Sequence, residues 1–434
     1  MKNNKLFIYS LFFLIIFSCS KKNHTTQDLI SNISTEELKK HVYKLADDEF
    51  EGRGAGYKGE KAAAIYIADN FKTKGLLTLG SNEDYFQKFN FHTLDSNPWE
   101  ILQTQNVLGV LKGDKYPDEY IVVGGHHDGQ GMEGQALLGR NTPEGIVTDS
   151  ITASKDLIWN SAVDNAVSIS AIIEMARVLS NTNIKLKRSI IFTTFSAEES
   201  GLDGSAYFVN NPPVPLRQIK AMVNLEKIVG DPGAEFLYVS YGTNPIFEHL
   251  RKEIDSLQEI NLTSFYSGMI ANTDHYAFAQ RKIPTITIGT GSSINIHTPL
   301  DHANRLDYDL FKKRTQYILH YLIELTNSES SFEFTGDLSG LMGVSGGPAS
   351  KLEKKQKDFD GNVAFKVTTV VKDSKGYIAG LRAGDLIIGI ENDLVKYKKF
   401  YQGLEDVIGE TDKKEIILKV IRNNKKIELV ISLK

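Results

Sequence analysis

Cysteine is nearly absent: the chain holds one, Cys19, among 434 residues. No intramolecular disulfide can form, and no thiolate metal site can assemble. Any metal must therefore sit on imidazole and carboxylate groups. A charge excess is missing too, since 50 Lys and Arg face 54 Asp and Glu, a formal balance of −4. That excludes a nucleic-acid binder relying on bulk positive charge. Long apolar runs are also lacking. The run from Leu6 to Phe17 is broken by Ser10, and as a helix it spans about 18 Å, well short of the ~30 Å hydrocarbon core. What is present, 41% hydrophobic and 24% charged residues, is ordinary globular composition and excludes a disordered or collagen-like chain. At ~150 residues per domain, the length predicts two or three domains.

The first residues read as an address. Lys2 and Lys5 precede the short apolar run, and small residues follow it, which is the pattern of a secretory signal over residues 1–18. Ile16-Phe17-Ser18-Cys19 resembles a bacterial lipobox, with Ile and Phe looser than the usual Leu and small residue. The resemblance implies that Cys19 becomes a lipidated N-terminus holding the chain to a membrane. The cell envelope is then the expected location, facing the periplasm or on the outer membrane, with secretion as the alternative. Residues 19–33 are expected to form a polar tether without structure.

Beyond the tether, Ser34-Thr35-Glu36-Glu37 predicts a capping box, with Leu38, Val42 and Leu45 on one helical face. A glycine-rich loop, Gly52 to Gly59, precedes a helix over Glu60 to Lys74, ended by Gly75. Gly54, Gly56 and Gly59 fit a dinucleotide fingerprint in spacing, but the preceding residues are polar and no apolar strand leads in, which excludes a nucleotide site. Short apolar runs then alternate with amphipathic helices. The runs are Val107–Leu111, Tyr120–Val123, Ser189–Phe195, Ala221–Leu225 and Pro284–Ile288; the main helices are Ala166–Leu179 and Tyr308–Thr326. This predicts an α/β unit over 34–326 with a mixed, mostly parallel central sheet covered by helices on both faces. Residues 327–339 read as a linker, and a small β-rich unit is expected over 340–434.

Open α/β sheets bind ligands beyond the carboxyl ends of their strands. The second run leads into Gly124-Gly125-His126-His127-Asp128, the third into Ser196-Ala197-Glu198-Glu199 and the fourth into Glu226. The fifth leads within a few residues to His297, and Asp164-Asn165 opens a helix. Metal-capable side chains thus collect at one predicted sheet edge. The blocks GGHHDG, SAVDNAVS, FSAEESGLDGS, VNLEKIVG, NTDHYAF and IHTPLD, in that order, resemble the secreted bacterial di-zinc aminopeptidases of metallopeptidase family 28. The resemblance implies two zinc ions (Zn2+), one on His126 and Glu226, the other on Glu199 and His297, bridged by Asp164. It places Glu198 as general base and Asp128 as the carboxylate orienting His126. Asp274 and Asp301 are further candidates for such orienting, His275 for a structural hydrogen bond, and His127 for packing or the rim. The implied activity is removal of N-terminal residues from peptides. Two alternatives stay open: a glutaminyl-cyclase-like enzyme working with one zinc, and a catalytically impaired peptide-binding lipoprotein.

Several positions depart from the family pattern. Lys227 stands where relatives carry Met, Ile296 where some carry Tyr, and Ser161 where glycine is usual. A glycine-rich stretch between His126 and Asp164 reads as an insertion at the active-site rim. In the last unit, SGLMGVS resembles the carboxylate-binding loop of a PDZ domain, and GYIAGLRAGDLIIGIEND resembles the PDZ modules of bacterial envelope proteases. That implies a groove for a peptide C-terminus, bound at Leu341, Met342, Gly343 and Val344 by strand addition. KKFYQGLEDVIG would be the flanking helix, with EIILKVIR and KKIELVISL as closing strands.

Overall fold

The computed structural model describes residues 26–79, 84–92, 101–132, 156–182, 184–230, 233–240, 242–256, 262–266, 273–291, 295–336, 344–349, 354, 364–370, 374–391, 393–394 and 414–432. Cys19, Leu341, Met342, Gly343 and the expected flanking helix at 398–409 lie outside them. In chain order the first unit contains α1 (Thr26–Ile30), α2 (Thr35–Leu45), α3 (Lys58–Thr73), β1 (Leu77–Thr78), β2 (Phe86–His92), β3 (Ile101–Leu111) and β4 (Tyr116–His126). There follow β5 (Gly131–Met132), β6 (Ile158–Trp159), α4 (Val167–Ser180), β7 (Arg188–Phe195), α5 (Asp203–Asn210) and β8 (Ile219–Glu226). The unit closes with β9 (Phe236–Ser240), α6 (Ile246–Asp255), β10 (Leu262–Tyr266), α7 (His275–Gln280), β11 (Thr285–Thr290) and α8 (Tyr308–Asn327).

The central sheet has nine strands in the order β1-β3-β7-β4-β8-β11-β9-β10, with β2 paired to β3. Its middle, β7-β4-β8-β11, is parallel, while β3 and β9 join it antiparallel. This is the mixed α/β sheet expected. Alternation along the strands divides the core in two. Ile121, Val123, Ile190, Phe192, Ala221 and Val223 face a large core shared with α2, α3, α4 and α8. Val122, Ile191, Phe195 and Met222 face a smaller one with Phe208 of α5 and Phe278 of α7. Burial on both faces explains why these strands read as continuous apolar runs.

Local signals set the helix ends. The Ser34 side chain accepts from the Glu37 N–H at 3.3 Å, capping α2. The reciprocal half of the expected capping box is replaced by a tertiary bond, since the Ser34 N–H donates to Glu174 Oε1 at 2.6 Å. Asp307 caps α8 through the N–H groups of Asp309 and Leu310. Gly75, with φ +72°, follows α3 in the left-handed conformation that glycine adopts freely.

Two expected boundaries shift. The tether was expected to run structureless to residue 33, but residues 26–30 form α1, with Leu29 and Ile30 buried in the large core. Two apolar side chains there gain more from burial than the short segment loses in freedom. The start of the expected linker is also fixed to the sheet. Asn244 Nδ2 donates to the carbonyls of Ser331 and Glu333, Thr335 N–H donates to the Thr243 carbonyl, and the Arg188 guanidinium lies 4.8 Å from the Phe332 ring centroid.

The C-terminal unit holds β12 (Val344–Pro348), β13 (Phe365–Val370), α9 (Lys375–Ile378), β14 (Leu386–Ile390), β15 (Asp393–Leu394), β16 (Glu415–Arg422) and β17 (Lys425–Ser432). These strands form one six-stranded sheet, with β16 and β17 as an antiparallel hairpin. Val344 was expected to line an open peptide pocket. It is instead 1% exposed and packs with Val367, Ile387 and Leu418 in this unit's core, because an apolar side chain on the inward face of the edge strand β12 is buried with its neighbours. Among the described residues no helix is long and apolar enough to cross a membrane.

Candidate metal centre

The parallel register brings the chemistry together. His126 ends β4 beside Phe195 of β7, and Glu226 ends β8 beside Gly289 of β11. Glu198 and Glu199 follow the end of β7 by three and four residues, and His297 follows β11. Asp164 lies in an irregular turn, Ala162–Ala166, that leads into α4 and contains the cis Asp164–Asn165 peptide bond. Ser161, Ala197, Lys227 and His297, all at or beside these side chains, have φ between 51 and 58°. Left-handed backbone is costly for such residues and collects at functional sites. At Ser161 glycine would adopt this backbone without that cost.

Asp164 is the centre. Its Oδ1 lies 3.1 Å from His126 Nε2 and its Oδ2 lies 3.0 Å from His297 Nε2. Glu226 Oε1 approaches His126 Nε2 at 3.5 Å, and Glu199 Oε1 approaches His297 Nε2 at 3.3 Å. Two compact groups result, His126–Asp164–Glu226 and Asp164–Glu199–His297, sharing one carboxylate. The buried atoms His126 Nε2, Asp164 Oδ1 and Glu199 Oε1 have no hydrogen-bond partner. Unmatched buried polar atoms of this kind are costly unless something else satisfies them. Imidazole nitrogens and carboxylate oxygens converging with unused lone pairs fit zinc.

The electrostatics agree. Burial opposes a charge on His126, yet the carboxylates of Glu198 and Glu226 outweigh it and hold the ring well above the usual imidazole range. His297 behaves alike, with burial overcome by Glu199 and Asp164. Burial pushes Glu198 well above the usual carboxylate range, against the pull of His126 and with the repulsion of Glu226 and Glu199. Burial alone would also raise Asp164, but Lys227 and the two imidazoles hold it well below. The site demands positive charge, and bound cations would replace those protons.

Glu198 Oε2 lies 3.9 Å from His126 Nε2, and Glu198 belongs to neither ligand group. Asp128 differs in detail from its expected role. His126 Nδ1 is 3.2 Å from the Asp128 carbonyl oxygen and 3.6 Å from its carboxylate. That carboxylate instead accepts from the N–H groups of Glu198 and Glu199, each at 3.2 Å, and so fixes the turn carrying both glutamates. Asp301 does the same for the bridging turn, accepting from Val163 at 2.8 Å and Asp164 at 3.2 Å; burial, partly offset by those donors, pushes its carboxyl up to about 7. Burial likewise pushes Asp274 up to about 7. His275 bonds Thr273 Oγ1 at 2.6 Å, as a structural histidine does.

Sequence reasoning missed two supports. Arg53, 1% exposed, donates to the carbonyls of His127, Leu45, Asn160 and Ser161, tying the glycine-rich loop to both the His126 strand end and the Asp164 turn. Gly52 is required there, since a Cβ would lie 2.3 Å from the Gly131 carbonyl oxygen. His127, expected in packing or at the rim, is fully buried, with Nε2 2.9 Å from Glu60 Oε1. The clue was the glycine loop itself, whose spacing serves close backbone packing.

Comparison with known proteins follows the same outline. The model of Peptidase family M28 matches residues 106–322. A "Probable zinc metalloprotease" of Pyrenophora tritici-repentis is 25% identical over 221 residues, 48% of this chain and 44% of that protein. The match therefore spans less than half the length of that relative. Among solved structures, the zinc aminopeptidase BSAP of Bacillus subtilis superposes with a TM-score of 0.54 at 14% identity, over 69% of this chain and 97% of that one. A Bacteroides thetaiotaomicron glutaminyl cyclase gives 0.53 at 18% identity, over 69% and 99%. These two likenesses concern the fold.

Proposed function

The chain belongs to peptidase family M28, and from that premise we propose that it is a zinc-dependent aminopeptidase, hydrolysing N-terminal residues from peptides. The observation that carries the reading is Asp164, whose two oxygens serve two separate histidine–carboxylate groups. His126 and Glu226 would hold one zinc, Glu199 and His297 the other, with Asp164 between. When bound, such a pair supplies Lewis acidity for water, for the scissile carbonyl and for a free amine.

The remaining work belongs to the chain. Glu198, close to the ligands but not among them, takes the proton of the attacking water and passes it to the leaving nitrogen. Asp128 holds Glu198 and Glu199 in register through their peptide N–H groups, so base and ligand keep their separate places. Asp301 sets the position of Asp164 in the same way.

A single-zinc cyclase is the second reading, favoured by one feature: the Lys227 ammonium already hydrogen-bonds Glu226. Zinc-loaded protein should release anilide from a panel of aminoacyl-anilides, and EDTA should abolish the release. Cyclisation of N-terminal glutamine without anilide release would replace the aminopeptidase reading with the cyclase. Zinc binding with neither activity would leave a peptide-binding protein.

A further inference from the structure

The two ligand groups look equivalent in residue type, but their surroundings differ. Lys227 follows Glu226 directly. Its Nζ hydrogen-bonds Glu226 Oε1, the oxygen that also faces His126 Nε2, and lies 3.8 Å from Asp164 Oδ2. The Lys227 side chain is only 16% exposed. The Asp164 oxygen that Lys227 approaches at 3.8 Å is the one facing His297, but Glu199 and His297 themselves have no Lys or Arg ion pair among the described residues, and Glu199 Oε1 has no hydrogen-bond partner. The ammonium thus hydrogen-bonds a ligand that belongs to one group alone, Glu226, and reaches the other group only at longer range through the shared Asp164.

Resting on the zinc-binding reading above, we propose that Lys227 makes metal loading unequal: it competes for Glu226, so the Asp164–Glu199–His297 position fills first and the His126–Glu226 position fills last and weakly. A divalent ion entering the second position must draw Glu226 away from the ammonium. Otherwise both cations share one carboxylate at a separation where repulsion is strong. The lysine can yield, because its flexible four-carbon stem can carry the charge toward the open side of the site. Occupancy of the second position then depends on available zinc, which makes the two-metal state conditional in this chain.

The test is zinc titration of the metal-stripped full-length protein against a competing chelator, with bound metal counted directly. Wild type should bind in two steps, the second weaker by about tenfold or more. Lys227→Met, which keeps the length and removes the charge, should strengthen the second step by about the same factor and leave the first unchanged. Lys227→Gln should act in the same direction, providing a second variant if one folds poorly, and Lys227→Arg should preserve the inequality. Two equal steps in wild type, or a second step unmoved in both neutral variants, would overturn the role of Lys227 while leaving the zinc site standing. Failure of every form to bind zinc would instead sink the metal reading itself.

Discussion

Along β7 the chain changes character within a few residues. Ile190, Ile191 and Phe192 are fully buried on alternating faces, each sealed by a helical layer. Three and four residues past Phe195, the strand's last apolar side chain, Glu198 and Glu199 stand with Asp128, Asp164 and Glu226 among mostly buried acids. The middle of the sheet stores stability, because apolar burial asks nothing of its partners. The carboxyl edge does the reverse. It gathers like charges and unmatched lone pairs that are unfavourable until cations arrive. The difference teaches that the rigid middle tolerates what the edge requires.

The sharpest way to break this contrast is at Glu198. Glu198→Gln should lower kcat by about 10²–10⁴-fold while zinc stoichiometry holds, since a base is lost and no ligand is. In metal-free form the same variant should melt higher than wild type at neutral pH, because Glu198 is ionised in the unfolded chain and must take up a proton to be buried beside Glu226, whereas glutamine need not. Full activity in Glu198→Gln would end its assignment as base, and a lower metal-free melting temperature would contradict the idea of an edge that strains the fold.

The middle should answer oppositely. Ile190→Ala, at a position with no exposure, should cost about 2–5 kcal/mol in urea unfolding and leave zinc affinity of the folded protein unchanged. Metal binding that weakens in step with stability would mean the two regions are not separable.

A smaller effect tests the core away from the site. His41 hydrogen-bonds the Tyr66 hydroxyl, and burial, helped by Lys40 and Lys74, pushes its ring down to about 4. The folded value lies below the unfolded one, so as pH falls the unfolded chain is protonated first. Stability is therefore full above about pH 6.5 and declines toward pH 4, by up to about 3 kcal/mol for this group. Urea midpoints across that range should fall less in His41→Gln than in wild type. Parallel curves would show that another group governs the acid limb.

How much of this was legible in the sequence depends on the range of the interaction. The five apolar runs, the helix ends at Ser34, Gly75 and Asp307, and the order of ligand-bearing strand ends are written locally, in periods of two and 3.6 and in capping residues. The ligand types and their convergence at one sheet edge follow from those strands being parallel and adjacent. The tertiary structure alone decided the rest. Arg53 meets carbonyls 74 and 108 positions away, Glu60 meets His127, and Asn244 holds the segment after α8. Nothing in the spacing of those residues marks a partner so distant, because a hydrogen bond to a backbone carbonyl imposes no side-chain type on the residue that offers it. The Lys227 contact is the nearest to a mixed case. Its charge beside a ligand was visible in the sequence, but only the left-handed turn at the end of β8 decided that the ammonium reaches Glu226 rather than solvent.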